Sequence, residues 1–275
     1  MDRSILQTLD YQLRENSIVY STWALFIQSP PPYFTDGTKW YYPDNSGRFH
    51  TMNEASLEAR LVAFGLSRKK DEDFPTECEM ARTFLQENHA VVYAGMLAGF
   101  ATGLHTLADG SRILVTSETR PINPAPGEWG TLRAVFEGLL KGEETDQTPY
   151  FYGWLKIFLH AYFAALEEGV TSQAPMAGHT AVFCGAAGCG KTLVKSILIA
   201  MFGGRSASPY AYMLGETNFN QEIVEAPILE IDDEAASKDP RDRQRLAAKI
   251  KGLVAGATQR VHAKYQKPVT LLPCQ

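Results

Sequence analysis

Apolar positions in this chain change period several times, and each change marks an expected element. Ile5, Leu6, Leu9 and Leu13 are spaced for one face of a helix. Ile18 to Ile27 is rich in strand formers and reads as extended chain. Ser29-Pro30-Pro31-Pro32 stops any regular element. Three short aromatic strands follow: Tyr33-Phe34, Lys39 to Tyr42, and Arg48 to Met52. They are separated by the turns Thr35-Asp36-Gly37 and Pro43 to Gly47. Their aromatic rings suit either stacking on bases or a small core. Asn53-Glu54 opens a helix that runs to about Phe64 and stops at Gly65. Residues 76–98 read as a helix and then an apolar stretch, and Gly103 to Thr116 as a hairpin turning at Ala108-Asp109-Gly110.

Pro121 to Gly127, with three prolines, marks a boundary. The expected division falls near residue 125: a smaller α+β domain over 1–125, then helices leading into a larger α/β core over 126–275. In the second part, Glu128 to Gly142 reads as a helix and Glu143 to Thr148 as a polar loop. From Tyr150 a long apolar helix places Phe151, Trp154, Leu155, Phe158, Leu159, Tyr162 and Leu166 on one face. It contains Lys156 and His160, so a buried helix explains it better than a membrane span. Thr180 to Cys184 reads as a short buried strand, and Leu193 to Phe202 as a helix with Leu193, Ile197, Leu198 and Met201 on one side. Tyr210 to Gly215 reads as another strand, and Pro227 to Ile231 as a third. Asp239-Pro240 starts a helix whose apolar face is Leu246, Ile250, Leu253 and Ala257. Arg260 to Pro273 reads as a β-hairpin with a basic, aromatic tip.

Composition narrows the class. The chain has 275 residues, 45% hydrophobic and 21% charged, as in water-exposed globular proteins. Cys78, Cys184, Cys189 and Cys274 lack metal-ligand spacing, and neither a strand end nor a Gly-rich loop suits a disulfide. The expectation is a reducing, cytoplasmic compartment. Met1-Asp2-Arg3-Ser4 does not lead into the apolar core of a secretory signal. A net charge of −5 argues against a generally basic nucleic-acid binder. The charge is uneven, however: Lys238 to Lys267 carries nine Lys/Arg against two Asp. Such a run forms either a solvated helix face or a nucleic-acid footprint.

The chemistry concentrates in Gly185-Ala186-Ala187-Gly188-Cys189-Gly190-Lys191-Thr192, of the form G-x-x-x-x-G-K-[ST]. Glycines let successive backbone N–H groups point into one concavity at a helix N-terminus, which attracts phosphate. Lys191 is placed to reach the β- and γ-phosphates of ATP, and the Thr192 hydroxyl to bind Mg²⁺. About forty residues on, Pro227-Ile228-Leu229-Glu230-Ile231 delivers Asp232, Asp233 and Glu234 to a strand end. Ligands of open α/β sheets bind there. Asp232 and Asp233 jointly cover holding Mg²⁺ and orienting the attacking water, with Glu234 in reserve for the second role. The same acids could instead cap the helix at Pro240. Between the motifs, Asn218 and Asn220 either line the site or cap a helix. At the hairpin tip, Lys264, Tyr265 and Lys267 suit a nucleic-acid backbone, the cations pairing with phosphates and the tyrosine packing on a base or sugar.

Phosphate loop, acidic strand end and a helix leading into V-x-x-K-Y-Q-K-P-V-x-L-x-P together resemble the ATPase core of superfamily-three helicases. These are AAA+-type replicative helicases of viruses, phages and mobile elements. Residues 149–275 look most like the helicase module of phage-type primase–helicase proteins, through Tyr150-Phe151-Tyr152-Gly153-Trp154-Leu155-Lys156 and Ile231-Asp232-Asp233-Glu234-Ala235-Ala236-Ser237. Residues 33–130 resemble the preceding region more weakly. The resemblance implies a P-loop NTPase with a parallel sheet flanked by helices, binding ATP and Mg²⁺. It also implies assembly as a homo-oligomer, a hexameric ring in the family, that moves on single-stranded DNA. Primase or replication-origin proteins are the implied partners, with no membrane involved. Lys264 matches the family's tip lysine, with Tyr265 where some members have histidine. The family's sensor asparagine and arginine fingers would follow Gln275, so the expectation is a C-terminally incomplete core.

Three functions fit these residues. The first is the DNA-dependent ATPase motor of a replicative helicase. The second is an ATP-gated DNA-binding or partner-recruiting module with little hydrolysis. The third is a small-molecule P-loop kinase, for which a basic hairpin serves no evident purpose.

Overall fold

Trp23 and Phe26 stack at 5.6 Å with their planes 9° apart, and this pair decides the first element. Three residues apart, they reach one core only from a helix, so Ser17–Gln28 forms α1 rather than the extended segment its strand formers suggest. Burial of two large aromatics outweighs the weak β-propensity of Ile18 and Val19. The computed structural model describes residues 17–70, 74–107, 109–142, 144–168, 180–232, 240–255, 259–264 and 268–271. The helix expected over Ile5 to Leu13 lies outside them. The chain divides into two compact units, one of residues 1–94 and 103–116, the other of 95–102 and 117–275.

In the first unit, β1 (Phe34–Thr35), β2 (Trp40–Pro43) and β3 (Phe49–Met52) form an antiparallel sheet with Trp40 opposite Met52 and Tyr42 opposite His50. The aromatic strands serve a core. Trp40 and Met52 are buried with Trp23, Phe26, Leu57, Leu61 and Leu85, and the Arg60 guanidinium covers the Tyr42 ring at 3.7 Å. Helix α2 (Glu54–Phe64) starts where Asn53 accepts the Ser56 N–H and ends at Gly65, whose φ of 110° suits glycine. Helix α3 (Glu77–Asn88) opens on a reciprocal capping box between Thr76 and Glu79. Strands β4 (Tyr93–Gly95), β5 (Gly103–Thr106) and β6 (Arg112–Val115) form a second sheet in the order β4-β6-β5, with the expected β5–β6 hairpin antiparallel.

The second unit is built on helices. Helix α4 (Gly130–Leu140) precedes α5 (Thr148–Glu168), which buries Phe151, Leu155, Tyr162 and Leu166 as its periodicity predicts. Phe158 of α5 stacks on Phe202 at 4.4 Å, at the end of α6 (Lys191–Met201). The Tyr162 hydroxyl donates to the Thr119 carbonyl at 3.0 Å.

The sheet departs from expectation. The fold is mixed α/β with small sheets. Among the described residues the parallel strand pairs are β4–β6 and the two-residue β7 (Ser206–Ala207) with β8 (Ile228–Leu229). No extended parallel P-loop sheet stands among them. Thr180 to Cys184 forms no strand. Phe183 turns inward onto Phe151, at 6.1 Å between rings, while Val182 is 77% exposed and Cys184 is also exposed. An apolar run sets which side faces the core, but a strand also needs a neighbouring ladder.

Tyr210–Leu214 is likewise not a strand but the short helix α7. Pro209, with φ −79°, precedes it, and Gly215, with φ 83°, closes it, so proline and glycine bracket one helical turn. Helix α8 (Gln221–Glu225), helix α9 (Pro240–Ala255) and the antiparallel hairpin β9 (Gln259–Val261)–β10 (Val269–Leu271) complete the unit. No described helix is long and apolar enough to cross a membrane.

Candidate functional site

The loop Gly185 to Gly190 leads directly into α6, as the motif requires. Gly188 and Gly190 adopt φ of 77° and 104°, in the left-handed region that favours glycine. At Gly190 a side chain would also meet Leu139 of α4, with a Cβ only 3.2 Å from its Cδ2. No side chain caps the start of α6, so the helix leaves its first N–H groups toward the open loop. Ala186, Ala187, Gly188, Cys189 and Thr192 are all exposed. Lys191 folds back over the loop, its ammonium donating to the carbonyls of Gly185 at 2.8 Å and Ala186 at 2.9 Å. The ammonium is thus held over the loop by backbone carbonyls.

One turn further along α6, Lys195 faces the acidic strand end. Its ammonium donates to both oxygens of Asp232, at 2.9 and 3.2 Å, and lies 2.9 Å from Glu230 Oε2. Glu230 Oε2 is buried without an aligned donor, so that second pairing is electrostatic. The carboxylates of Glu230 and Asp232, in that order, raise the Lys195 pKa and keep it charged. Glu230 is fixed from the other side too. Its Oε1 accepts the Ser206 hydroxyl at 3.0 Å, and its N–H donates to the Ala207 carbonyl at 2.9 Å. Lys195 therefore brings the phosphate-loop helix and the acidic strand end, 37 residues apart, to one place.

Sequence reasoning missed Lys195 and Glu230, though a signal was present. Lys195 lies four residues after Lys191, on the same helix face, and Glu230 alternates with Asp232 along extended chain. Asp233 and Glu234 lie outside the described residues. Among those described, no group of three or more His, Cys, Asp or Glu side chains is arranged to hold a metal by itself. Magnesium in nucleotide sites needs only one or two protein oxygens beside the phosphates, and exposed Asp232 with exposed Thr192 fits that demand.

The hairpin is anchored through its first strand. Val261 and Ala263 are buried, whereas Arg260 and Lys264 are exposed. Tyr265 and Lys267 lie outside the described residues. Asn220 stands before α8 but makes no side-chain cap. Its amide instead donates to the Arg260 carbonyl at 2.8 Å and accepts the His262 N–H at 2.7 Å. Asn218 is exposed. On α9, Leu246, Ile250 and Leu253 are half-buried, with Arg241, Arg245, Lys249 and Lys251 on the exposed side. Lys249 lies over the Tyr212 ring at 4.9 Å.

The class that fold and loop define is a mixed α/β protein carrying a glycine-rich phosphate-loop motif. Among solved structures it resembles the C-terminal region of NrS-1. The apo structure of residues 305–718 matches with a TM-score of 0.51 at 13% identity, covering 94% of this chain and 56% of that one. Two further apo structures of the region, in an A form, match with TM-scores of 0.50 and 0.51, also at 13% identity. They cover 92% of this chain and 54% of theirs, so the chain spans little more than half the length of the solved chains it resembles. No family model and no curated protein matches the sequence.

Proposed function

We propose that this chain is the ATP-binding motor module of a replicative DNA helicase of primase–helicase type, working on single-stranded DNA. One observation carries the reading: α6 presents Lys191 to the phosphate loop and, one turn on, Lys195 to Glu230 and Asp232. Two motifs that are far apart in sequence thus meet at one helix, which supports reading them as the two halves of a nucleotide site. The fold likeness to the C-terminal region of NrS-1 and the exposed cations Arg260 and Lys264 of the hairpin add support.

In this reading the loop N–H groups and Lys191 bind the ATP phosphates, and Thr192 and Asp232 hold Mg²⁺. The metal, when bound, neutralises phosphate charge. Asp233 shares with Asp232 the tasks of holding the metal and orienting water, with Glu234 in reserve for the second, and Lys264, Tyr265 and Lys267 follow the DNA backbone. ATP hydrolysis should be stimulated by single-stranded DNA and abolished by Lys191→Ala. Hydrolysis indifferent to DNA would refute the motor reading.

A second reading is ATP-gated DNA binding with little turnover, which follows if no arginine of a neighbouring subunit reaches the loop. A finger supplied by another subunit contributes several orders of magnitude to such reactions. Nucleotide-dependent DNA retention without phosphate release would select this reading.

A further inference from the structure

We propose that Lys195 is a positioning residue for the divalent cation: it holds Asp232 in the cation-free protein and must be displaced from it when the cation binds. The inference rests on the phosphate-site reading above, and it concerns how that site exchanges its charges.

Three observations carry it. Lys195 engages both oxygens of Asp232, whose side chain is 63% exposed against 25% for Glu230. A pair so exposed adds little to stability, so a structural purpose alone explains it poorly. Next, the two acids are held unequally. Glu230 is anchored through Ser206 and the β7–β8 ladder as well as by Lys195, whereas Lys195 is the partner the structure gives Asp232. Lys195 thus has one fixed carboxylate and one exchangeable one. Finally, it sits a single turn from Thr192, on the helix the loop leads into.

The charge arithmetic gives the direction. With the lysine present, the trio of Lys195, Glu230 and Asp232 carries one net negative charge, and an ammonium within 3.2 Å of Asp232 repels an arriving dication. A cation that takes Asp232 leaves Lys195 paired with Glu230. Nucleotide phosphates bring the added negative charge that favours this exchange, so metal should bind weakly alone and well with nucleotide.

The test is Mn²⁺ binding to the full chain, followed by electron paramagnetic resonance without nucleotide and again with a slowly hydrolysed ATP analogue. Without nucleotide, Lys195→Met should bind Mn²⁺ up to about fivefold more tightly than wild type, the scale of one exposed charge pair. Lys195→Arg, which keeps the charge, should behave as wild type. Adding Asp232→Asn to Lys195→Met should erase the gain. Equal or weaker Mn²⁺ binding by Lys195→Met, or a gain that survives Asp232→Asn, would overturn the proposal. Thermal unfolding checks each variant, and Lys195→Gln must reproduce the gain if the Met variant does not fold. Failure of the parent reading shows separately, as ATP affinity unchanged by Lys191→Ala, and the Mn²⁺ comparison without nucleotide still decides the role of Lys195.

Discussion

Asn220 and His262 exchange two hydrogen bonds across 42 residues of chain. The His262 N–H donates to Asn220 Oδ1 at 2.7 Å, and the Asn220 N–H donates to the His262 carbonyl at 3.2 Å. With its amide also on the Arg260 carbonyl and its side chain 1% exposed, Asn220 acts as a buried clip on strand β9. Asn220→Ala leaves the Arg260 carbonyl of β9 and the His262 N–H just after it without these partners and should cost about 1–3 kcal/mol of stability, read as a lowered urea midpoint. DNA affinity should fall with the hairpin's order while ATP affinity stays. An unchanged midpoint would show that β9 is held by other contacts.

Gly203 should tolerate substitution worse than its neighbour Gly204. Both have φ in the left-handed region, at 86° and 78°. Only at Gly203 would a Cβ meet Thr119 at 2.6 Å and the Arg120 carbonyl at 3.0 Å. Gly204→Ala pays for its backbone alone, about 1 kcal/mol, whereas Gly203→Ala should exceed it by about 1–2 kcal/mol. Calorimetric melting of the two variants decides the order.

Asp36 makes the first unit sensitive to acid. Burial works to raise its pKa, but hydrogen bonds from the Tyr41 and Thr38 hydroxyls and the Thr38 and Lys39 N–H groups outweigh it and lower the value. A carboxyl lowered on folding stabilises above its unfolded pKa, and that stability is lost as pH falls through the folded value. Asp36→Asn should therefore be clearly less stable than wild type at pH 7, with the gap narrowing below about pH 4. Urea titrations at several pH values test this, and a constant gap would refute it.

Lys264 is exposed on the hairpin. Lys264→Ala should weaken single-stranded DNA binding and lower the salt slope by about one counterion, leaving nucleotide affinity nearly intact. Unchanged DNA binding would remove the hairpin tip from the mechanism.

Local chemistry was legible in the sequence wherever a residue type has few other uses. Asn53 and Gly65 bound α2 as expected, because caps act within one turn. The long apolar face of α5 buried as its spacing required, and the β9–β10 hairpin formed between the segments expected to pair. Gly190, a fixed glycine of the motif, and Gly188, at one of its variable positions, both took left-handed conformations that favour glycine.

Tertiary structure decided the rest. The segments over residues 18–27 and 210–214 became helices although their composition suits strands. Thr180 to Cys184 joined no ladder among the described residues. A strand exists only where another strand supplies its hydrogen bonds, and no local pattern carries that information. The same holds for the site. The sequence determined which residues make up the phosphate-loop motif and the acidic run after β8. That Lys195 joins Glu230 to Asp232, and that Asn220 clips β9 instead of capping a helix, follows from which elements pack together, because an ion pair or a side-chain hydrogen bond forms only between groups the fold has already brought within reach.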